Sequence, residues 1–449
     1  MQYTFSQKCK KIFSIALPSG ANSLLDTLNL LVGWYFISQI SKQHIIALGV
    51  SLNYIMILFA ITAVFFIGTS SQVARYFGAH DFKSIKEVMG TNLLSSLFLS
   101  IPVCVVFFLC IDMYFDWMGK GVDLESRALG REYLHLVLLG VPALMAKTIC
   151  VAGLSALGDT KRIMYVKIFT TTFNVILNVV LIAGCDFGIF HIPALGIAGA
   201  GLSNLIITIV EFVLLLFAIA LSDIKLKIAL VFRTLYLKRM LAVGIPAGIE
   251  RFLSIFSLIL IQKFVSSYGG DTLAGFQIGT KVEAFILMPG FGFQVAAMAL
   301  VGQSLGRKRL SLAYDFLKTL LFVASLVMGI LGILICIFGF ELSGIFSTES
   351  KVLEYSFYYI LAVGLSQVPL IWVFCLDGAL RGGGATKLSL LLNSASIWLV
   401  RILPMYLCVH FGLSVMLLFV IIFAETYLRA VLFGLMFKYK IWEKFISRF

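Results

Sequence analysis

The chain has 449 residues, 60% of them hydrophobic and only 13% charged, with a formal net charge of +13. Soluble domains sit near half apolar and a quarter charged, so this composition, with a mean hydropathy of +1.02, excludes a water-soluble fold.

In chain order, charged and turn residues divide the sequence into apolar segments over 12–38, 46–74, 88–112, 130–157, 163–184, 195–221, 239–267, 276–303, 314–340, 353–380, 388–410 and 413–437. Each can cross about 30 Å of hydrocarbon as a helix. They predict an all-α integral membrane protein of twelve transmembrane helices. Lys8, Lys10 and Lys11 precede the first run and imitate a secretory leader, but Pro18 and Gly20 interrupt it without a small-residue cleavage site, so it reads as a retained first helix. Pro18 and Pro246 occupy matched places in the first and seventh helices, as fixed bends or as kinks serving alternating access, while Pro289, Gly290 and Gly292 loosen the eighth. The eight cysteines are scattered through apolar runs without the spacing of a disulfide framework or a zinc site.

The basic residues locate the ends. The termini and alternate loops 75–87, 158–167, 222–240, 303–313 and 381–387 hold twenty-three Lys and Arg, whereas the other side holds five, Lys42, Lys120, Arg127, Arg131 and Lys351. Cationic loops resist translocation, so both termini are expected in the cytoplasm. The positive charge is then a topology signal, aided by anionic lipid, and nucleic acid is not an expected partner.

An internal repeat appears at an offset of about 227 residues: Leu17-Pro18 with Ile245-Pro246, Phe77-Gly78 with Leu305-Gly306, and LSALGDTK (Leu154–Lys161) with LRGGGATK (Leu380–Lys387). Six helices per repeat give both halves the same orientation, the parallel arrangement that builds two lobes around a midplane cavity. The expected divisions are a first lobe over 1–222, an interlobe loop over 223–240 and a second lobe over 241–449.

Ionisable groups at bilayer depth cost about 2.5–3.5 kcal/mol even on insertion scales, so each needs a partner, a cavity or a function. The candidates are Asp26, Lys147, Glu211, Glu250, Arg251, Lys263, Lys281, Glu283, Asp377, Arg401, Glu425 and Arg429; Lys263, Glu425 and Arg429 lie near predicted helix ends and read as snorkelling side chains. Glu250, in the cytoplasmic third of the seventh helix, is the first choice for a carboxylate that exchanges a cation; a structural ion pair with another helix is the alternative, with Arg251 a poor partner about 100° around the helix. Asp377 has Arg381 at i+4, which allows a simple intrahelical pair. Asp26 shares a polar stripe with Asn22, Asn29 and Gly33, as a cavity wall or as hydrogen-bonding glue. Lys281 and Glu283 open the eighth helix on different faces. Asn174 and Asn178, one turn apart, either ligand a cation or tie helices together. Arg401 is expected to balance a buried acid. No phosphate loop, paired zinc-type histidines or serine elbow accompanies these residues, so enzyme chemistry is not expected.

Several ordered segments resemble one family. Pro18, Gln72-Val-Ala-Arg-Tyr-Phe-Gly-Ala-His-Asp81, Asn174-Val-Ile-Leu-Asn178 and Leu195-Gly-Ile-Ala-Gly-Ala-Gly201 in the first half are similar to signatures of the MATE (multidrug and toxic compound extrusion) transporters. So are Gly244-Ile-Pro-Ala-Gly-Ile-Glu250, Met288-Pro-Gly-Phe-Gly292, Val301-Gly-Gln-Ser-Leu-Gly306, Ala379-Leu-Arg-Gly382 and Arg401 within Trp398–Pro404 in the second. The resemblance spans nearly the whole chain. It implies a secondary-active antiporter that exports organic, often cationic, small molecules against protons or sodium ions, with no cofactor beyond that ion. It departs from the family pattern at three places: Gly33 stands where many relatives have an aspartate, Glu250 follows Pro246 by four residues rather than eight, and Asn178 replaces an aspartate of some relatives.

The leading expectation is therefore a monomeric, cation-coupled exporter in a bacterial inner membrane. A flippase for a lipid-linked sugar shares the architecture and would need a strongly cationic cavity to hold pyrophosphate. A receptor or assembly scaffold would use Glu250 for folding alone.

Overall fold

The computed structural model describes residues 3–118, 123–186, 191–222, 228–229 and 231–446. The first half runs α1 (Phe5–Ser38), α2 (Lys42–Gly78), α3 (Phe82–Trp117), α4 (Leu124–Leu139), α5 (Val141–Leu157), α6 (Thr160–Ile182) and α7 (Gly196–Ala220), with a two-residue antiparallel bridge between Cys185–Asp186 and His191–Ile192. The second runs α8 (Thr234–Ser266), α9 (Gly270–Gly306), α10 (Leu310–Gly344), α11 (Ser350–Leu365), α12 (Gln367–Gly382), α13 (Thr386–Ala395), a π-helical turn over Ser396–Ile402, α14 (Leu403–His410), α15 (Val415–Lys438) and a 3₁₀ turn over Ile441–Phe445.

Among the described residues nine spans are long and apolar enough to cross a membrane alone, counting α13 through α14 as one, and the pairs α4–α5 and α11–α12 form two more, bent by 50° and 54°. The 34-residue α1 is the twelfth, less apolar because of Asn22, Ser23, Asp26, Thr27 and Asn29. The protein is thus an all-α membrane protein of twelve spans in two six-span halves.

Most helices extend past their apolar runs because caps, not hydropathy, end them. Thr4 forms a capping box with Gln7, Ser41 accepts the His44 N–H, and Asp81 accepts both the N–H and the hydroxyl of Ser84. Those two bonds also hold the Asp81 carboxyl below the usual carboxylate range. The segments predicted as unbroken over 130–157 and 353–380 instead turn at Gly140 and Ser366, just before Val141-Pro142 and shortly before Pro369, where proline cannot continue a straight helix. The π-helical turn ahead of Pro404 has the same cause, since the ring displaces the preceding carbonyls. Residues 223–227 and 230 of the predicted interlobe loop, Lys120 and Arg448 lie outside the described residues; α8 starts at Thr234, inside the stretch read as the 223–240 connection.

The two halves meet at the end of the molecule that carries both termini. Gln72 donates to the Tyr236 carbonyl, Gln303 to that of Ala156, Arg75 to that of Gly383, and Arg239 to the Tyr76 hydroxyl. The approach is reciprocal. A Cβ on Gly78 would lie 2.0 Å from the Gln303 carbonyl oxygen and one on Gly306 2.0 Å from that of Arg75, and these positions exchange under the repeat offset. Gly244 against Val64 and Gly292 against Ala16 form a second exchanged pair, at 2.2 and 2.1 Å. At the opposite end, Leu28, Leu31 and Tyr35 of α1 and Phe252, Phe256 and Ile259 of α8 are exposed. The contacts between the halves described above thus lie toward the terminal end, where their backbones interdigitate.

Candidate functional site

Glu250 sits at the middle of α8, not in the third nearest the termini, because the helix begins five residues before its apolar run. It is 5% exposed, and Asp377 on α12 is 3% exposed. Arg381, one turn after Asp377, donates from Nη2 to Glu250 Oε1 at 2.8 Å and brings Nε to 2.7 Å from Asp377 Oδ2. The i,i+4 pair expected within α12 is thus also an interhelical one. Gln294 of α9 donates to Asp377 at 2.8 Å. From α13, Asn393 donates to Glu250 Oε1 at 2.8 Å, and the Ser389 hydroxyl lies 2.8 Å from Glu250 Oε2 while also meeting Asp377 Oδ1.

This arrangement fixes a proton count. Two buried carboxylates share one directly paired guanidinium, so one of the two charges has no ion-pair partner of its own, with Arg429 and Arg251 acting on them only through space. A serine hydroxyl has one hydrogen, so it can donate to Glu250 or to Asp377 but not to both. The two contacts are satisfied together when one carboxyl carries a proton and donates to Ser389 Oγ. Arg251, exposed on the neighbouring face of α8, pairs with neither acid.

A second buried acid lies one helical layer away. Glu425 on α15 is fully buried, accepts from Ser396 at 2.6 Å, and is paired with Arg401 and, at 3.3 Å, with Arg429. Reading Glu425 and Arg429 as snorkelling groups is therefore corrected: both lie well inside α15, and they are tied to each other, with Glu425 also tied to Arg401, instead of reaching for an interface. Arg401 does balance a buried acid, reaching it through the π-helical turn. Glu283 lies well inside α9 rather than at its start and accepts the Tyr359 hydroxyl at 2.5 Å; Lys281 is exposed and balances no acid among the described residues. Replacing Arg401 with Leu leaves Glu425 with Arg429 alone and is expected to cost about 3 kcal/mol. The thermal inactivation temperature of purified protein should fall accordingly, with partial recovery in Arg401→Leu/Glu425→Leu.

The first half holds a neutral counterpart. Lys167 on α6 lies 2.6 Å from Asp26 of α1 and 2.8 Å from Glu211 of α7, and Lys147 of α5 lies 2.8 Å from the other Glu211 oxygen. Two lysines match two acids. Lys167, counted above with the 158–167 loop, is 9% exposed within α6; the helix starts at Thr160, before hydropathy rises. Asp26 keeps 62% of its side chain exposed. Asn29 donates to Thr171 at 3.1 Å, Asn174 to Asn29 at 3.3 Å and Asn178 to Asn174 at 3.4 Å, with Ser203 donating to Asn174 at 2.7 Å. The Asn174 oxygen already accepts two donors, so these amides join α1, α6 and α7. Among the described residues no group of three His, Cys, Asp or Glu side chains converges on a metal position.

The MatE family model matches residues 18–180 and 246–407, once in each half. The chain belongs to the MatE family. This MatE member is a secondary transporter, not an enzyme. It is 25% identical over 438 residues to the probable multidrug resistance protein NorM of Thermotoga maritima, covering 97% of this chain and 93% of the relative. It is also 25% identical over 416 residues to the uncharacterized transporter YisQ of Bacillus subtilis, covering 90% and 89%. Among solved structures, an outward-facing conformation of a multidrug resistance MATE family transporter superposes with a TM-score of 0.88 at 19% identity, covering 98% of this chain and 97% of the other. A MOP superfamily transporter from Pyrococcus furiosus gives 0.88 at 18% identity, with the same coverage.

The sequence left Ser389, Asn393 and Gln294 unnoticed. Ser389 and Asn393 are spaced i,i+4 in an otherwise apolar stretch, which is the signal that could have found them.

Proposed function

We propose that this MatE member exports amphipathic organic cations from the cytoplasm in exchange for one proton per cycle, carried by the Glu250–Asp377 pair. One observation carries the reading: the pair, with Arg381 as its only directly ion-paired cation among the described residues, has one proton fewer than its hydrogen bonds require when both acids are ionised. The first-half cluster is charge-neutral and makes no such demand. Glu250 Oε1 and Asp377 Oδ2 already accept N–H groups, and the other two oxygens meet the Ser389 hydroxyl, which favours a proton over a sodium ion needing several oxygens. The relatives named for multidrug resistance support an organic cargo. The basic bias of loops beside the termini supports a cytoplasmic terminal face in an inner membrane, and two lobes in one chain are consistent with a monomer. Lys147, Lys167, Arg381, Arg401 and Arg429 are each ion-paired, which favours export of cations over a pyrophosphate-holding flippase.

The test is uptake of a fluorescent lipophilic cation into proteoliposomes under separately imposed proton and sodium gradients. Accumulation driven by the proton gradient alone is expected. Accumulation driven by sodium alone reassigns the ion, and none under either gradient overturns the antiporter.

A further inference from the structure

Away from the charge clusters, α10, α12 and α15 enclose a cavity of about 570 Å³ at the terminal face. Its inner wall is apolar, formed by Leu317, Leu321, Leu376 and Trp372, and its rim carries Lys318, Lys438 and Lys440. All three lysines are exposed, and none is paired to a carboxylate among the described residues. The rim's one acid, Glu443, accepts the Tyr314 hydroxyl at 2.8 Å. Trp442, 1% exposed, donates to that same hydroxyl at 2.7 Å, so the turn over Ile441–Phe445 is anchored and the rim is preformed. Trp372 lies ten residues before the end of α12, about 15 Å along its axis. The cavity therefore runs from headgroup level to acyl-chain depth.

We propose that this cavity is a binding site for an anionic phospholipid of the leaflet at the terminal face. The three ammonium groups hold the phosphate region, and an acyl chain lies along Leu317, Leu321 and Trp372. Charge complementarity selects the occupant, because a zwitterionic headgroup would place its own cation among three lysines. Leu376 on the cavity wall immediately precedes Asp377, so a bound lipid braces the helix that carries the proposed coupling carboxylate.

Delipidated full-length protein in detergent is titrated with phosphatidylglycerol or phosphatidylcholine, and bound lipid is read by native mass spectrometry. Wild type is expected to bind phosphatidylglycerol about tenfold more tightly than phosphatidylcholine, with inorganic phosphate unable to displace it. Lys318→Gln/Lys438→Gln/Lys440→Gln loses that preference, whereas Lys83→Gln/Lys86→Gln/Lys161→Gln, outside the cavity, keeps it. Gly434→Leu supplies a test that leaves every charge in place: a Cβ there meets nothing within 4 Å, so leucine fills the cavity without strain and removes phosphatidylglycerol binding. Unchanged binding in the first triple variant or in Gly434→Leu, equal loss in the second triple variant, or displacement by phosphate each overturns the proposal.

Discussion

Glu250→Gln is expected to abolish proton-driven accumulation while leaving the protein folded and able to bind cargo. A one-unit pH gradient stores about 1.4 kcal/mol per proton, enough for about tenfold accumulation of a monovalent cation by one-for-one exchange. The variant should show none. Glutamine preserves the packing: its oxygen accepts from Arg381 and Asn393, and its amide donates to Ser389 Oγ, where the protonated acid would have donated. The Ser389 hydrogen is then free for Asp377, and Asp377 with Arg381 is charge-neutral. The site is locked in its proton-loaded charge state. Cargo exchange without a gradient, measured as counterflow of labelled cation, should persist, which separates lost coupling from lost folding. Asp377→Asn makes the same change of charge from the other side and should give the same pair of results. If either variant still accumulates cargo about tenfold under a pH gradient, the coupling proton is carried elsewhere, and Asp26 is the next carboxylate to replace.

The legible part of this fold was whatever hydropathy and the repeat encode. Twelve spans, the parallel halves and the prominence of Glu250 and Asp377 follow from apolar run lengths and from charges too costly to be accidental. Lys167 was missed because a lysine seven residues into a helix looks like a loop residue when the first two turns are polar. Its burial depends on Asp26 and Glu211, which arrive from helices far away in the chain. Glu425 and Arg429 were misplaced for a related reason. The sequence reads them as snorkelling side chains near a helix end, and only the packing of α15 against the π-helical turn shows that Arg401 and Arg429 both pair with Glu425. Ser389 and Asn393 have ordinary polarity, and their importance lies in the two acids they join.

Gly306→Val is expected to open the terminal face. A Cβ at Gly306 would sit 2.0 Å from the Arg75 carbonyl oxygen, and its repeat partner Gly78 stands equally close to Gln303. Normal carbon–oxygen contacts begin more than 1 Å farther out. The opposing atoms are helix backbone, so no side-chain rotation relieves the clash. Overpacking of this kind costs about 1–3 kcal/mol where the structure can yield, and two rigid lobes can yield by separating. A bias of about 2.8 kcal/mol shifts a two-state equilibrium a hundredfold, which suffices to depopulate the closed terminal face. His80 and Lys308, which follow the two glycines at matched positions with φ of 60° and 56°, report that separation when spin-labelled as cysteines in a background lacking the native ones. Their distance should lengthen by several ångströms in Gly306→Val, and proton-driven transport should fall with it. Gly344→Val is the control, because a Cβ there meets nothing within 4 Å. An unchanged distance in Gly306→Val would mean that the lobes absorb the added side chain locally. The glycine contacts would then be packing detail rather than the surface on which the two halves close.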